Sequence, residues 1–419
     1  MNANRLHRCS RFVLGFAFSA ALCLTVTGCS VINKFFSSLN EPEPSTSPSL
    51  LSEIPKPKQT SYSYSAIKNE NIRNLYAQLE SETEKLSPEE IQCTGELTQK
   101  DIYEAITAFK NDHPDVFWIG SSFSYYSYNG VTYLEITYTC TDSELSEKKQ
   151  KFSNAIDSFM SNAPMYSSEY EREKYINDYI VSNCIYDEQA AESDTQTGNI
   201  SNAYGVLVDG KALCEGYARA FQLLCNKMGI DCVCVAGMTE DTGHEWNCAY
   251  IEGSWYQVDV TWNDSDDVSK YYYFNLTDEQ MYESRTADSL FADIDADRYD
   301  DDTSLLGNLF VPECTATEYN YYQQTSPVLY GFDSENDSTI SSALADCARN
   351  GGSYFSIIVD SSLDFDEAYS ELVDNGYIVN YIESANLNLW GETELSCTSY
   401  AYKNETLRIV TAELIYNTD

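Results

Sequence analysis

The chain has 419 residues, with 66 acidic side chains against 25 Lys and Arg, a formal charge of −41. A field of that sign repels phosphate, which excludes nucleic acid as a partner and anionic lipid as a docking surface for the folded part. The hydrophobic fraction of 43% is enough for real cores, and the length suits two or three compact units plus tails.

The first 28 residues read as an address. Arg5, Arg8 and Arg11 precede an apolar run from Phe12 to Thr27, short for a membrane span and suited to a secretory signal. The run ends at Val26-Thr27-Gly28-Cys29, which resembles the lipobox of bacterial lipoproteins. That resemblance implies a lipid on Cys29 and a mature chain anchored to the cell membrane on its extracytoplasmic face. An ordinary signal peptide or a single anchor helix is the alternative, and either one also exports the chain. Residues 29–62 form a Pro/Ser-rich tether, with five of the ten prolines between 37 and 60. Eleven cysteines follow Cys29, an odd number that points to a free thiol. Cys232-x-Cys234 lacks the histidine spacing of a zinc site.

Residues 63–165 are expected to form an N-terminal α/β unit. Asn69–Lys85 and Gln99–Lys110 carry helical periodicity, and Ser122–Tyr128 and Val131–Cys140 alternate around Asn129-Gly130, a hairpin signal. His113, at a turn before Pro114, reads as structural. Residues 166–314 hold the chemistry, and residues 315–419 read as a small α+β domain. That last domain has helices over Thr339–Asn350 and Asp364–Asn375, a strand over Tyr354–Val359 and a hairpin around Lys403-Asn404. Asp293, Asp295 and Asp297 have the spacing of a calcium loop, but Arg298 and Ser304 stand where glycine and glutamate belong. A solvated acidic loop is therefore expected there, with calcium as the weaker alternative, and no other cofactor or metal is expected.

In the central unit, Tyr217, Phe221, Leu224 and Met228 follow Cys214 on one helical face, and Gly229 is placed as a stop. Cys214 then lies in the first helical turn, where unpaired backbone N–H groups and the helix dipole favour a thiolate. His244–Ile251 and Trp255–Trp262 read as two strands joined near Glu252-Gly253. A two-residue loop would place His244 opposite Thr261 and Asp259 one diagonal step away on the same face, about 7–8 Å between backbones. Taken singly, Cys214 reads equally as a core residue and His244 as a surface one. Taken together they are the parts of a cysteine nucleophile system, with His244 as the base and Asp259 holding its ring.

The blocks Gly210 to Ala218, His244-Glu245-Trp246-Asn247 and Trp255 to Trp262 resemble the transglutaminase-like superfamily in its bacterial branch. The resemblance implies an α+β, papain-like core, a cysteine-bearing helix packed on an antiparallel sheet. It also carries over Cys214 as nucleophile, His244 as base and Asp259 as orienting acid. Glu245 stands where alanine is frequent, a departure expected to matter little. The implied chemistry is acyl transfer on an amide or peptide carbonyl through a thioester. The Cys214 backbone N–H serves as one oxyanion donor and Tyr204 is the side-chain candidate for another. A peptidase or amidase acting on protein or cell-wall peptide is the leading expectation. Gln–Lys cross-linking and a non-catalytic surface binding module are the alternatives.

Overall fold

The structure, a computed structural model, describes residues 61–417 apart from 85, 87–89, 193–197, 241, 266–267, 289–307, 391–392 and 397–400. The signal segment, Cys29, almost all of the tether and the Asp293, Asp295 and Asp297 run lie outside the described residues. The chain divides into two units. One comprises residues up to 255 with 259–261 and 284–313; the other comprises 256–258, 262–283 and 314–419.

The first unit opens with helices α1 (Tyr62–Ala66), α2 (Glu70–Thr83) and α3 (Gln99–Asp112) beside a sheet of β1 (Ile91–Thr94), β2 (Ile119–Tyr128) and β3 (Val131–Tyr138), in the order β1-β3-β2. Thr98 and Asp101 close a capping box at the start of α3, each side chain satisfying the other's backbone N–H. The β2–β3 hairpin turns at Asn129 and Gly130, both at positive φ, as the Asn-Gly pair requires. Leu75, Tyr76, Ile102, Phe109 and Leu134 fill the space between helices and sheet. His113 caps the end of α3, with Nε2 3.0 Å from the Tyr76 hydroxyl and its ring stacked on Phe109 at 4.4 Å. That is the structural role expected of it.

Two long helices, α4 (Asp142–Asn162) and α5 (Glu169–Asn183), follow; the sequence reading leaves both unassigned. Helix α4 buries Leu145, Phe152 and Phe159, one residue in seven, so its apolar stripe is too narrow to stand out among charged neighbours.

Next come β4 (Ile185–Tyr186), α6 (Glu188–Ala191), a wide helical turn over Gly205–Asp209, β5 (Lys211–Ala212), α7 (Cys214–Lys227), β6 (Cys232–Thr239), β7 (Thr242–Ile251), β8 (Ser254–Val258), α8 (Val260–Asn263) and β9 (Thr286–Ala287). The sheet runs β8-β7-β6-β9, and β6 pairs antiparallel with both β7 and β9. Helix α7 packs on this sheet, so the expected α+β arrangement of a cysteine helix on antiparallel strands is present. The second strand of the hairpin is shorter than expected. It ends at Val258 rather than Trp262, and Val260–Asn263 is helical. The extended pairing of His244 with Thr261 therefore does not form. The backbone leaves the sheet at Asp259, whose carboxylate is drawn to two buried cationic side chains, His244 and Arg285.

The second unit holds α9 (Asp278–Met281), α10 (Tyr321–Thr325), β10 (Val328–Leu329), α11 (Ser334–Arg349), β11 (Tyr354–Val359), α12 (Phe365–Tyr369), α13 (Ile378–Leu389), β12 (Leu395–Ser396), β13 (Ala401–Asn404), β14 (Ile409–Glu413) and β15 (Ile415–Tyr416). Its main sheet has the order β10-β11-β14-β13 around a core that includes Leu344, Ile357, Tyr381 and Val410. The expected Tyr354–Val359 strand is present as read, and the two expected helices are found at Ser334–Arg349 and, from Phe365, through Asp374. The hairpin turns three residues later in its centre than expected. Asn404 pairs with Ile409, and the Asn404 side chain accepts the Leu407 N–H at 2.9 Å, which sets the turn.

Candidate active site

Cys214 is the first residue of α7, and the preceding Leu213 supplies no side-chain cap. The first N–H groups of the helix are therefore left for whatever charge develops there. The approach to the helix is tightly built. Gly210, at φ +68, turns the chain into β5, and β5 lies parallel to β4 with Tyr186 opposite Ala212. Every residue from Cys214 to Cys225 is buried, so the nucleophile helix is fixed by its packing.

His244 sits on β7 opposite Gly237 of β6. Its Nε2 lies 2.7 Å from Asp259 Oδ2. The same imidazole is hydrogen-bonded to Cys214, which helps hold it in the charged form. With Nε2 taken by the carboxylate, Nδ1 is the nitrogen left for the thiol. Cys214, His244 and Asp259, proposed from sequence as one group, are thus brought together. Their exposures are 4%, 8% and 0%.

Burial alone would lower the His244 pKa. The charge and hydrogen bond of Asp259, followed by those of Cys214, outweigh it and push the value up to about 9. Burial alone would raise Asp259. His244 and Arg285 overcome that and hold its carboxyl well below the usual range. Trp246 lies parallel to the imidazole, centroids 6.0 Å apart, and the Arg285 guanidinium sits 5.3 Å from the Trp246 ring. Asn247, two residues beyond Glu245, donates to Ala218 O at 3.0 Å and Val233 O at 3.3 Å, locking the histidine strand to the cysteine helix.

Behind the nucleophile lies a buried ion cluster. Glu215 meets Lys110 and Arg219 at 3.2 Å each, and Arg219 also meets Glu245 at 3.3 Å. Glu245 is therefore not incidental: it sits between β7 and α7 and shares Arg219 with the neighbour of Cys214. Burial pushes its pKa up to about 7 against the opposing pull of Arg219.

Tyr204 is placed elsewhere. Its ring packs on Phe117 at 4.8 Å and Phe152 at 5.9 Å, and the titratable groups that act on its hydroxyl are Asp209, Lys151, Glu147 and Cys140. None of these described neighbours belongs to the Cys214 group, so Tyr204 is a packing residue here. Sequence reading missed two residues of the site, Arg285 and Tyr186. Arg285 binds the Asp259 carboxylate and reaches it through the pairing of Met238 with Thr286. Tyr186 is brought beside Ala212 and Tyr217 by the β4–β5 pairing. Both depend on long-range pairings that leave no local spacing in the sequence. Among the described residues, no group of three or more His, Cys, Asp or Glu side chains is arranged to hold a metal ion.

Residues 161–260 match the model of the transglutaminase-like superfamily, and that span includes Cys214, His244 and Asp259. A relative from mouse, Mus musculus, the kyphoscoliosis peptidase, is 34% identical over 108 residues, covering 23% of this chain and 16% of the relative. The chain thus spans only a small part of that relative's length. Among solved structures, a TGase aligns at 19% identity with a TM-score of 0.25, over 42% of this chain and 51% of its own. A candidate cysteine protease from Cytophaga hutchinsonii aligns at 17% identity with a TM-score of 0.21, over 33% of this chain and 61% of its own.

Proposed function

We propose, from the premise that residues 161–260 form a transglutaminase-like domain, that this chain is a cysteine-dependent acyl-transfer enzyme that hydrolyses amide or peptide bonds. The observation that carries the reading is one imidazole held between Asp259, at 2.7 Å, and the thiol that opens a buried helix.

The steps follow from that geometry. His244 takes the Cys214 proton, and the thiolate attacks the carbonyl carbon as the C=O π pair moves to oxygen. The Cys214 backbone N–H donates to that oxyanion. The C–N bond then breaks, His244 returns its proton to the leaving amine, and an acyl thioester remains on Cys214. His244 next deprotonates a water molecule, which attacks the thioester and releases the acid and the thiol. Asp259 keeps the ring oriented and stabilises its charged form throughout. An amine in place of water would give Gln–Lys cross-linking instead.

The substrate class is exported protein or cell-wall peptide, and the chain works from a lipid anchor on Cys29 at the extracytoplasmic face of the membrane. The basis for the anchor is the Arg5–Arg11 start, the apolar run and the Val26–Cys29 sequence.

The test is alkylation and turnover on the full chain. Iodoacetamide is expected to label Cys214 ahead of the other thiols, and Cys214→Ser to abolish cleavage of a peptide library. Equal labelling of all thiols, with unchanged activity in Cys214→Ser, overturns the reading. A glutamine peptide with a labelled amine separates transfer from hydrolysis. Cys29→Ala is expected to release the chain from membranes.

A further inference from the structure

The oxyanion in the proposed reaction has one backbone donor, and the side chain named from sequence, Tyr204, packs elsewhere. A different phenol is in position. Tyr186 ends β4, and the parallel pairing sets it opposite Ala212, two residues before Cys214. The pairing is pinned at both ends, by Ile185 N–H donating to Gly210 O and Asp187 N–H donating to Ala212 O, each at 3.0 Å. The Tyr186 ring lies 6.3 Å from Tyr217, which is one turn along α7 from Cys214. These contacts bring the phenol to the same end of the helix as the nucleophile.

The surroundings of Tyr186 suit a donor rather than a packing ring. Burial, followed by the charges of Cys214, Asp259 and Asp187, keeps its hydroxyl protonated far above neutral pH. Among the described residues that hydroxyl makes no hydrogen bond. Desolvation strengthens any bond it does make to a developing negative charge.

We propose that Tyr186 is a catalytic residue whose hydroxyl donates the second hydrogen bond to the oxyanion formed when Cys214 attacks a carbonyl. This rests on the acyl-transfer reading above. When the Sγ–C bond forms, the C=O π pair moves to oxygen and the phenol donates without losing its proton. When the thioester forms, the electron pair returns and the bond to Tyr186 weakens. Tyr186 therefore favours the tetrahedral species over both flanking states, as catalysis requires.

Two reactions of the same thiol separate this role from any other. Acylation by p-nitrophenyl acetate passes through an oxyanion, whereas alkylation by iodoacetamide does not. In the full chain, Tyr186→Phe removes one oxygen that has no described partner. It is expected to slow the p-nitrophenolate burst on the order of 10²-fold, with alkylation of Cys214 within twofold of the unsubstituted chain. Tyr204→Phe is expected to change neither rate. An unchanged burst in Tyr186→Phe overturns the proposal. Equal slowing of burst and alkylation also overturns it, because that result assigns Tyr186 to the thiolate. If the unsubstituted chain shows no burst at Cys214, the acyl-transfer reading itself falls.

Discussion

Arg285 donates to Oδ2 of Asp259, the same carboxylate oxygen that lies against His244. One buried anion thus serves two cations, and its hold on the imidazole is divided. Replacing Arg285 by Met removes one of these two cations from Asp259 and leaves His244 as the other. The alkaline limb of amide turnover is then expected to rise by about 1 pH unit, since the undivided carboxylate stabilises the imidazolium more strongly. Turnover is expected to fall on the order of 10²-fold as Asp259 loses its anchor. The cost in stability is about 3–5 kcal/mol, that of removing one partner from a buried ion pair. Arg285→Lys retains the charge and is expected to keep the limb near its original position. A folded Arg285→Met with an unmoved limb would contradict this division of charge.

His244 links the site to stability. Its folded pKa is raised from 6.5 to about 9, chiefly by Asp259 against the cost of burial. The stabilisation it contributes is complete below about pH 6.5 and is lost as pH rises through about 9. Chemical denaturation at pH 6, 8 and 10 is expected to show the greatest advantage over His244→Gln at pH 6, shrinking by pH 10. A difference constant across that range would show that the two proteins differ only in packing. Turnover in His244→Gln is expected to fall on the order of 10³-fold, the loss of a general acid–base.

The legibility of this fold depends on range. Cys214 and the apolar face of α7 lie within 15 residues, so helical periodicity displays them, and Asn129-Gly130 marks its own hairpin. His244 and Asp259 were readable as partners because one turn separates their segments. Asp259 nonetheless reaches the imidazole from the end of a strand, not from within it, because the carboxylate also answers to Arg285. Pattern reading cannot supply that second partner: Arg285 arrives through β9, a two-residue strand recognisable only by its pairing with β6. Glu245 shows the same gap. Its position in the strand is plain from sequence, but its partner Arg219 lies 26 residues earlier on another element.

Glu245 provides a pH test independent of catalysis. The groups around it are Arg219, Glu215, Lys110 and Cys234, and burial raises its pKa from 4.5 to about 7. A raised carboxyl costs stability as pH climbs: the folded state is favoured below about pH 4.5 and pays a growing penalty through about pH 7. Glu245→Gln removes that penalty while Arg219 keeps Glu215 at 3.2 Å. The variant is expected to match the original at pH 5 and to be about 1–3 kcal/mol more stable at pH 8. Thermal melts at both pH values decide it. A variant less stable at pH 8 would show that the Arg219 pair outweighs the cost of burying Glu245.

Gly216 tests how closely the nucleophile helix is seated. In an ordinary exposed helix, Gly→Ala gains about 1 kcal/mol through propensity. Here a Cβ at residue 216 would meet Ile200 O at 2.7 Å and the Ala212 Cβ at 2.8 Å. Neither neighbour is free to yield, because Ile200 O already accepts the Leu213 N–H at 2.8 Å and Ala212 O accepts from Asp187. The helix start must then move, and Cys214 moves with it. Gly216→Ala is expected to lose about 1–3 kcal/mol, the usual cost of overpacking. Alkylation of Cys214 is expected to slow in the protein that remains folded, because the thiol is displaced from His244. A neutral or stabilising substitution with unchanged alkylation would show that the first turn of α7 has room to spare.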